Sequence, residues 1–284
     1  MKHAYLIIAH HEFEVLEKLI QSLDDARNDI YIHFDRKLKS LPTFIIRHAD
    51  LYILEERIDI RWGHVSQIKA EYVLFETAYR HGGYNYYHLL SGVHLPLKSQ
   101  DYIHRLFEKL KDKEVLAYVP NNDYQTDLKM RRYNFFMKNF MHKNCFVRRL
   151  NQLLWRICIR IQKELNIYRN RRTFYANAAN WVSVTGNCVA YLLQIRKDVL
   201  RKYRFTLCGD EFFIPSEIGG SHLKDNILYY DKLLKCDFGA TGPRTYNLED
   251  YDILVNSDCL FARKFSRMDM NIVNKILLHI KPEG

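Results

Sequence analysis

Short apolar runs alternate with amphipathic stretches through the first 120 residues. "AYLIIA" (4–9) and "DIYIHF" (29–34) are rich in β-branched and aromatic residues, the composition of strands. Between them Phe13, Leu16, Leu19, Ile20 and Leu23 recur at helical spacing. A strand, a helix and a strand in that order make a right-handed βαβ unit, and therefore a parallel sheet. The pattern continues with a helix over 65–80, the run "YYHLLSG" (86–92), a helix over 100–110 and the strand "VLAYV" (115–119). Ligands of such sheets sit outside the carboxyl ends of the strands. Those ends carry His10 and His11, then Asp35-Arg36-Lys37, then Ser91-Gly92, so polar side chains gather along one edge.

The segment 129–172 differs in character, with thirteen Lys and Arg against a single Glu. Phe146, Leu150, Leu153, Leu154, Ile157, Ile161 and Leu165 mark one helical face, and Arg148, Arg156, Arg160 and Lys163 lie largely on another. Either the apolar face docks on the domain, or the helix meets anionic lipid or an acceptor carried by lipid. From 175 to 266 alternation returns: "NWVSVTG" (180–186), "LCGDEFF" (207–213), the strand "NILYYD" (226–231), a short helix opening at "NLEDYD", and "LFARKF" (260–265). No repeat or Gly/Ser-rich linker divides the chain. The expected organisation is one domain, 1–284, with 129–172 a basic helical insertion in it.

With 48% apolar and 14% aromatic residues, the 284-residue chain can bury a sizeable core, which excludes disorder. No run is long and apolar enough to span a bilayer. The six cysteines are scattered without zinc spacing and read as core thiols in a reducing compartment. A net charge of +10 asks for an anionic partner: nucleic acid, anionic lipid or a phosphorylated substrate.

No P-loop, G-x-G-x-x-G or G-x-S-x-G is present. His10 and His11 are adjacent, and neighbours on a strand point to opposite faces, which argues against a metal pair. His33 and Asp35 share a face, where Asp35 either shapes a turn or serves the site. Asp250-Tyr251-Asp252, the lone D-x-D, opens a helix, where carboxylates favour the macrodipole, so capping is preferred over metal ligation. Asp210 is placed to cap the helix after it. Glu211, ahead of Phe212 and Phe213, is a carboxylate that could cap, face water or do chemistry.

"AYLIIAHHEFEVLEKLI", "DIYIHFDRK", "IRWGHVSQIKAE", "YNYYHLLSGVHLPLKS" and "LFARKF" together resemble, in order and spacing, the core-2/I-branching glycosyltransferases, a group that also holds peptide O-xylosyltransferases and plant glucuronosyltransferases. The resemblance covers roughly 3–120 and 175–266. It implies an α/β fold of GT-A type (Rossmann-like) with a mostly parallel central sheet. It further implies a UDP-sugar donor, inversion at the anomeric carbon, and neither metal nor other cofactor. Carried over by position, Ile8 and Asp35 would contact the uracil side of the donor, and Glu211 would be the general base. Lys264 in "FARKF" would bind the diphosphate, with Arg244 as the second phosphate cation, and Tyr229 would line the acceptor sugar. Trp181 matches a motif position without a role. Cys208-Gly209 replaces the usual Ser-Pro, and Pro215 should shorten or kink the following helix.

The resemblance thus points to transfer of a sugar from a UDP-sugar to a glycan or lipid-linked glycan. UDP-GlcNAc is the expected donor, with UDP-xylose and UDP-glucuronate as alternatives. With no signal or membrane anchor read in the sequence, unlike the Golgi enzymes it resembles, the expectation is a bacterial, cytoplasmic enzyme of surface-polysaccharide synthesis, with its basic face toward the inner membrane. A nucleic-acid-binding protein is the rival reading, but the charge is concentrated in one insertion.

Overall fold

Period-two alternation along β1 (His3–Ala9) sends Tyr5, Ile7 and Ala9 into one hydrophobic core and Ala4 and Leu6 into another, on the opposite face of the sheet. The computed structural model describes residues 1–239 and 242–281. On the first face lies α1 (Phe13–Leu23), which buries Val15, Leu16, Leu19, Ile20 and Leu23 at helical spacing. The strands that follow are β2 (Asn28–Phe34) and β3 (Asp50–Ile53). On the second face lies α2 (Ser66–His81), whose Ile68, Tyr72 and Phe75 are fully buried.

The chain continues through β4 (Tyr86–Ser91), β5 (His94–Pro96), α3 (Gln100–Lys109), β6 (Glu114–Tyr118) and α4 (Asp123–Met130). Then come α5 (Cys145–Glu164), β7 (Ala178–Thr185), α6 (Gly186–Gln194), α7 (Arg196–Lys202), α8 (Phe213–Gly219) and β8 (Ile227–Tyr229). The last part holds β9 (Leu234–Lys235), β10 (Phe238–Gly239), β11 (Gly242–Pro243), α9 (Tyr251–Val255), β12 (Phe261–Arg263) and α10 (Met270–His279).

Seven strands form one sheet in the order β3-β2-β1-β4-β7-β6-β8. β3, β2, β1 and β4 run parallel, as do β6 and β8, while β7 lies antiparallel between β4 and β6. The expected α/β class with a mostly parallel sheet is therefore the observed one. Because β7 reverses, its first residues reach the same edge as the carboxyl ends of the other six. A small second sheet, β5-β12-β9, places "LFARKF" beside the turn after β4 and outside the main sheet.

The basic segment departs from the docked reading of its helix. α5 buries Ile159 and Gln162, and anchors itself through polar contacts. Gln162 bridges the backbone N–H and carbonyl of Tyr133, and Trp155 Nε1 donates to Asn134 Oδ1 at 2.8 Å. The stripe Phe146, Leu150, Leu153, Ile157, Ile161 and Leu165 faces outward. No helix among the described residues is long and apolar enough to cross a membrane.

Candidate active site

Strand order reverses at β1: β2 and β3 lie to one side, β4 to the other, which opens a crevice at the carboxyl ends of β1 and β4. Ile8 is half-buried on the α2 side of β1, in register with His33 and Ser91. β1 stops at Ala9, so alternation no longer separates the next two residues. Contrary to expectation, the His10 and His11 rings lie together, 4.1 Å apart.

Asp35 follows β2 and shapes a turn: its N–H donates to Ala9 O, and its carboxylate accepts from Lys37 N at 2.8 Å and Lys37 Nζ at 2.6 Å. His33, on the same face, is committed to structure, its Nε2 accepting from Ile58 N. A cleft of about 450 Å³ opens beside the two histidines, lined also by Phe13, Thr43, Phe44 and Arg267. Another, of about 490 Å³, lies around Asp25, Arg27 and Gln100, away from these groups.

Lys37 reaches on to Asp59, which pairs with Arg61, so ion pairs lead from Asp35 into the loop before α2. Gly63 in that loop has φ +68, and a Cβ there would come within 2.8 Å of Leu207 Cδ1. Its carbonyl accepts from Cys208 N, and Gln67 Nε2 donates to Asp210 Oδ2 at 2.8 Å. The loop before α2 and the first turn of α2 thus hold the turn Gly209–Glu211 directly.

Within that turn the two carboxylates part company. Glu211 is turned to solvent, its side chain 38% exposed, and Oε2 accepts from Lys129 Nζ at 2.8 Å. Burial, the largest single influence, pulls the Lys129 ammonium down, but the charge and hydrogen bond of Glu211, with Cys208 and Asp210 nearby, together outweigh it and leave Lys129 above its ordinary range. Asp210 is buried and caps nothing, which corrects the capping expectation: neither the turn nor α8 has a side-chain cap. Burial, then the charge of Glu211, pushes its carboxyl up to about 7. Fully buried Glu71 on α2 is raised well above the carboxylate range by burial and then by Asp210; Asn180 lies close by without standard hydrogen-bond geometry. Phe212 and Phe213 point into the core beneath. Pro215 takes the third position of the seven-residue α8, where an N–H has no helical partner, so the helix is short without losing a bond.

The second sheet delivers cations to the crevice. Arg263 pairs in register with His94, and its guanidinium lies 4.9 Å from the Trp181 ring centre, with His94 edge-on to the same indole at 4.8 Å. β12 ends at Arg263, so the alternation that would bring only one of Arg263 and Lys264 inward does not extend to Lys264. Burial and then Arg263 lower the Lys264 ammonium. Packing lowers His10 and His11, and the charge of Lys264 contributes to both.

Arg244 accepts Lys264 N at its carbonyl, and its guanidinium pairs with Asp250. Asp250 also closes a capping box with Asn247, the role preferred for the D-x-D from sequence. Tyr229 ends β8 at the far end of the same sheet edge, 5.7 Å from Tyr118. Among the described residues no group of three or more His, Cys, Asp or Glu is arranged to hold a metal.

A family model, Core-2/I-Branching enzyme, matches residues 3–235. The chain belongs to that family. It is accordingly a glycosyltransferase, with a sugar donor and an acceptor to bring together. Ile8, Asp35, Glu211 and Tyr229 lie inside the matched residues, whereas Arg244 and Lys264 lie beyond them. No curated protein matches the chain. Among solved structures, mouse xyloside xylosyltransferase 1 in its apo form aligns with a TM-score of 0.40 and 8% identity over 92% of this chain and 97% of that one, too loosely to carry an argument.

For a member of the core-2/I-branching family, then, the structure gathers Ile8, Asp35 and Lys264 around the end of β1. It ties Glu211 to them through residues 59–67, seats Arg244 behind Lys264, and leaves Tyr229 at the far end of the edge. Sequence reasoning missed Lys129, Gln67, Glu71 and the Arg263–Trp181–His94 stack. Glu71 had a signal: it falls on the stripe of Ile68, Tyr72 and Phe75, where a carboxylate is out of place. Lys129 had none, being one basic residue among thirteen.

Proposed function

We propose that this glycosyltransferase works by a single inverting displacement without a divalent metal. It would move a sugar, GlcNAc first among the candidates, from a UDP-sugar to a hydroxyl of a glycan or lipid-linked glycan in surface-polysaccharide synthesis. The hydroxyl oxygen bonds to C1 as its proton passes to Glu211, and the bond from C1 to the β-phosphate oxygen breaks, releasing UDP. The observation that carries this reading is the division of labour at Asp210-Glu211: one carboxylate is buried, and the other faces solvent in the grip of Lys129.

Charge developing on the β-phosphate needs a counter-charge, and Lys264 with Arg263 supplies fixed cations where a metal would otherwise act. Asp250 is already engaged by Arg244 and Asn247, which supports a metal-free mechanism. Ile8 and the Asp35 turn would seat the uridine, and Tyr229 with Tyr118 would offer aromatic faces to an acceptor sugar.

The deciding experiment offers UDP-GlcNAc, UDP-xylose and UDP-glucuronate with a panel of glycan acceptors, following UDP release and the anomeric configuration of the product. Release with UDP-GlcNAc and a β-linked product is expected. An α-linked product overturns the mechanism, and turnover only with another donor overturns the sugar assignment.

A further inference from the structure

The segment that supplies Lys129 also carries the least expected surface of the molecule. α5 presents Phe146, Leu150, Leu153, Ile157, Ile161 and Leu165 to solvent at intervals of three and four residues, with Phe146 75% and Leu153 53% exposed. One stripe of a helix is ordinarily apolar because it packs. Here the packed side is secured by Gln162 and Trp155, and the apolar stripe is left uncovered. Exposed apolar patches of this kind mark interaction surfaces.

Charge says what would cover it. Arg149, Arg156 and Arg160 are exposed and, at 100° per residue, flank the apolar stripe on one side. Residues 129–172 hold thirteen Lys and Arg and one Glu, a net of +12 that exceeds the +10 of the whole chain. An apolar stripe bordered by arginines is the pattern of a helix lying in the plane of a bilayer, with its side chains among the acyl chains and its cations among anionic headgroups. A protein partner would have to be both apolar and strongly acidic, and a second copy of this chain would bring the same positive charge against itself.

We propose that α5 is an in-plane membrane anchor that binds the protein to anionic lipid surfaces. Leu150, Leu153 and Ile157 enter the acyl boundary, and Arg149, Arg156 and Arg160 meet lipid phosphates. The inference does not depend on the sugar donor or the chemistry proposed above, because it is read by binding alone.

The test is co-sedimentation of the full chain with phosphatidylcholine vesicles, with and without phosphatidylglycerol. Binding is expected only where phosphatidylglycerol is present, and should weaken as salt is raised. Each basic side chain near such a surface is worth about fivefold in partitioning, so reversing Arg149, Arg156 and Arg160 to Glu together should lower binding by at least about 100-fold. Circular dichroism checks that this variant remains folded. A second variant, Leu153→Trp, reports on depth: its fluorescence should shift to the blue and be quenched by brominated acyl chains. The proposal is overturned if wild type ignores anionic vesicles, if the triple variant binds them equally well, or if the tryptophan at 153 stays in water. It is likewise overturned if sedimentation velocity shows a dimer that Leu153→Glu dissociates.

Discussion

Lys129 Nζ lies 2.8 Å from Glu211 Oε2, so the last turn of α4 holds the candidate base from across 82 residues of chain. Lys129 is itself fixed: it is largely buried, lies over the Phe212 ring, and its carbonyl accepts from Leu207 N. The contact aims the carboxylate while leaving its outer side open to an incoming hydroxyl.

Replacing Glu211 by Gln keeps this shape and removes the base. Turnover should fall about 10²–10⁴-fold, the usual contribution of a positioned carboxylate, with UDP affinity unchanged in calorimetry. Lys129→Met should lower kcat by about tenfold at unaltered donor KM, because misplacing a reacting group costs rate before it costs binding. Both variants should melt within about 1 kcal/mol of wild type, since the pair is partly exposed. Full turnover in Glu211→Gln would place the base elsewhere.

The cations at the end of β12 should replace a metal in function. Activity is expected to survive excess EDTA, and Lys264→Ala should weaken UDP binding and slow transfer by roughly 10²–10³, the cost of losing one preorganised charge contact. Exposed Asp252 lies outside the capping box, so Asp252→Asn should change little. Activity abolished by EDTA and restored by manganese would reverse this assignment.

Stability should depend on pH through Asp210. Its carboxyl is raised from 3.8 to about 7 in the folded protein, so between those values the native state holds a proton that the unfolded chain has released. Stability therefore falls as pH rises through that window and levels off above it; Glu71, also raised, contributes a decline of the same sign. Asp210→Asn, which cannot ionise, should flatten the curve and gain on the order of 2 kcal/mol at neutral pH. Urea denaturation from about pH 4 to about pH 8 measures the slope. A variant less stable than wild type at neutral pH would show that Asp210 works as a charged partner after all.

Gly209 should be intolerant of any side chain. A Cβ there would fall 2.5 Å from Thr206 Oγ1 and 3.0 Å from Tyr203 Cδ1, and Tyr203 is buried in the core. Gly209→Ala should displace the turn that carries Glu211, costing about 1–3 kcal/mol of stability and a larger share of kcat than of donor affinity. Denaturation and steady-state kinetics on the same preparation separate the two effects.

Periodicity along the chain determined β1, α1, β2, α2, β4, α3 and β6, because each is long enough for its apolar residues to repeat at two or at three to four positions. It also determined that polar side chains collect along one edge, since parallel strands bring their carboxyl ends together, and the order of five short motifs pointed to the family, from which Glu211 follows as a candidate by position. Tertiary structure alone decided the rest. The reversal of β7 carried Asn180 and Trp181 to that edge, and the β5–β12 pairing set Arg263 against His94. Packing buried Asp210 beside Glu71 while leaving Glu211 open, and chose Lys129 from thirteen equivalent-looking cations. It also turned the apolar stripe of α5 outward. A sequence pattern states which residues share a face, but what that face meets depends on contacts between segments far apart in the chain.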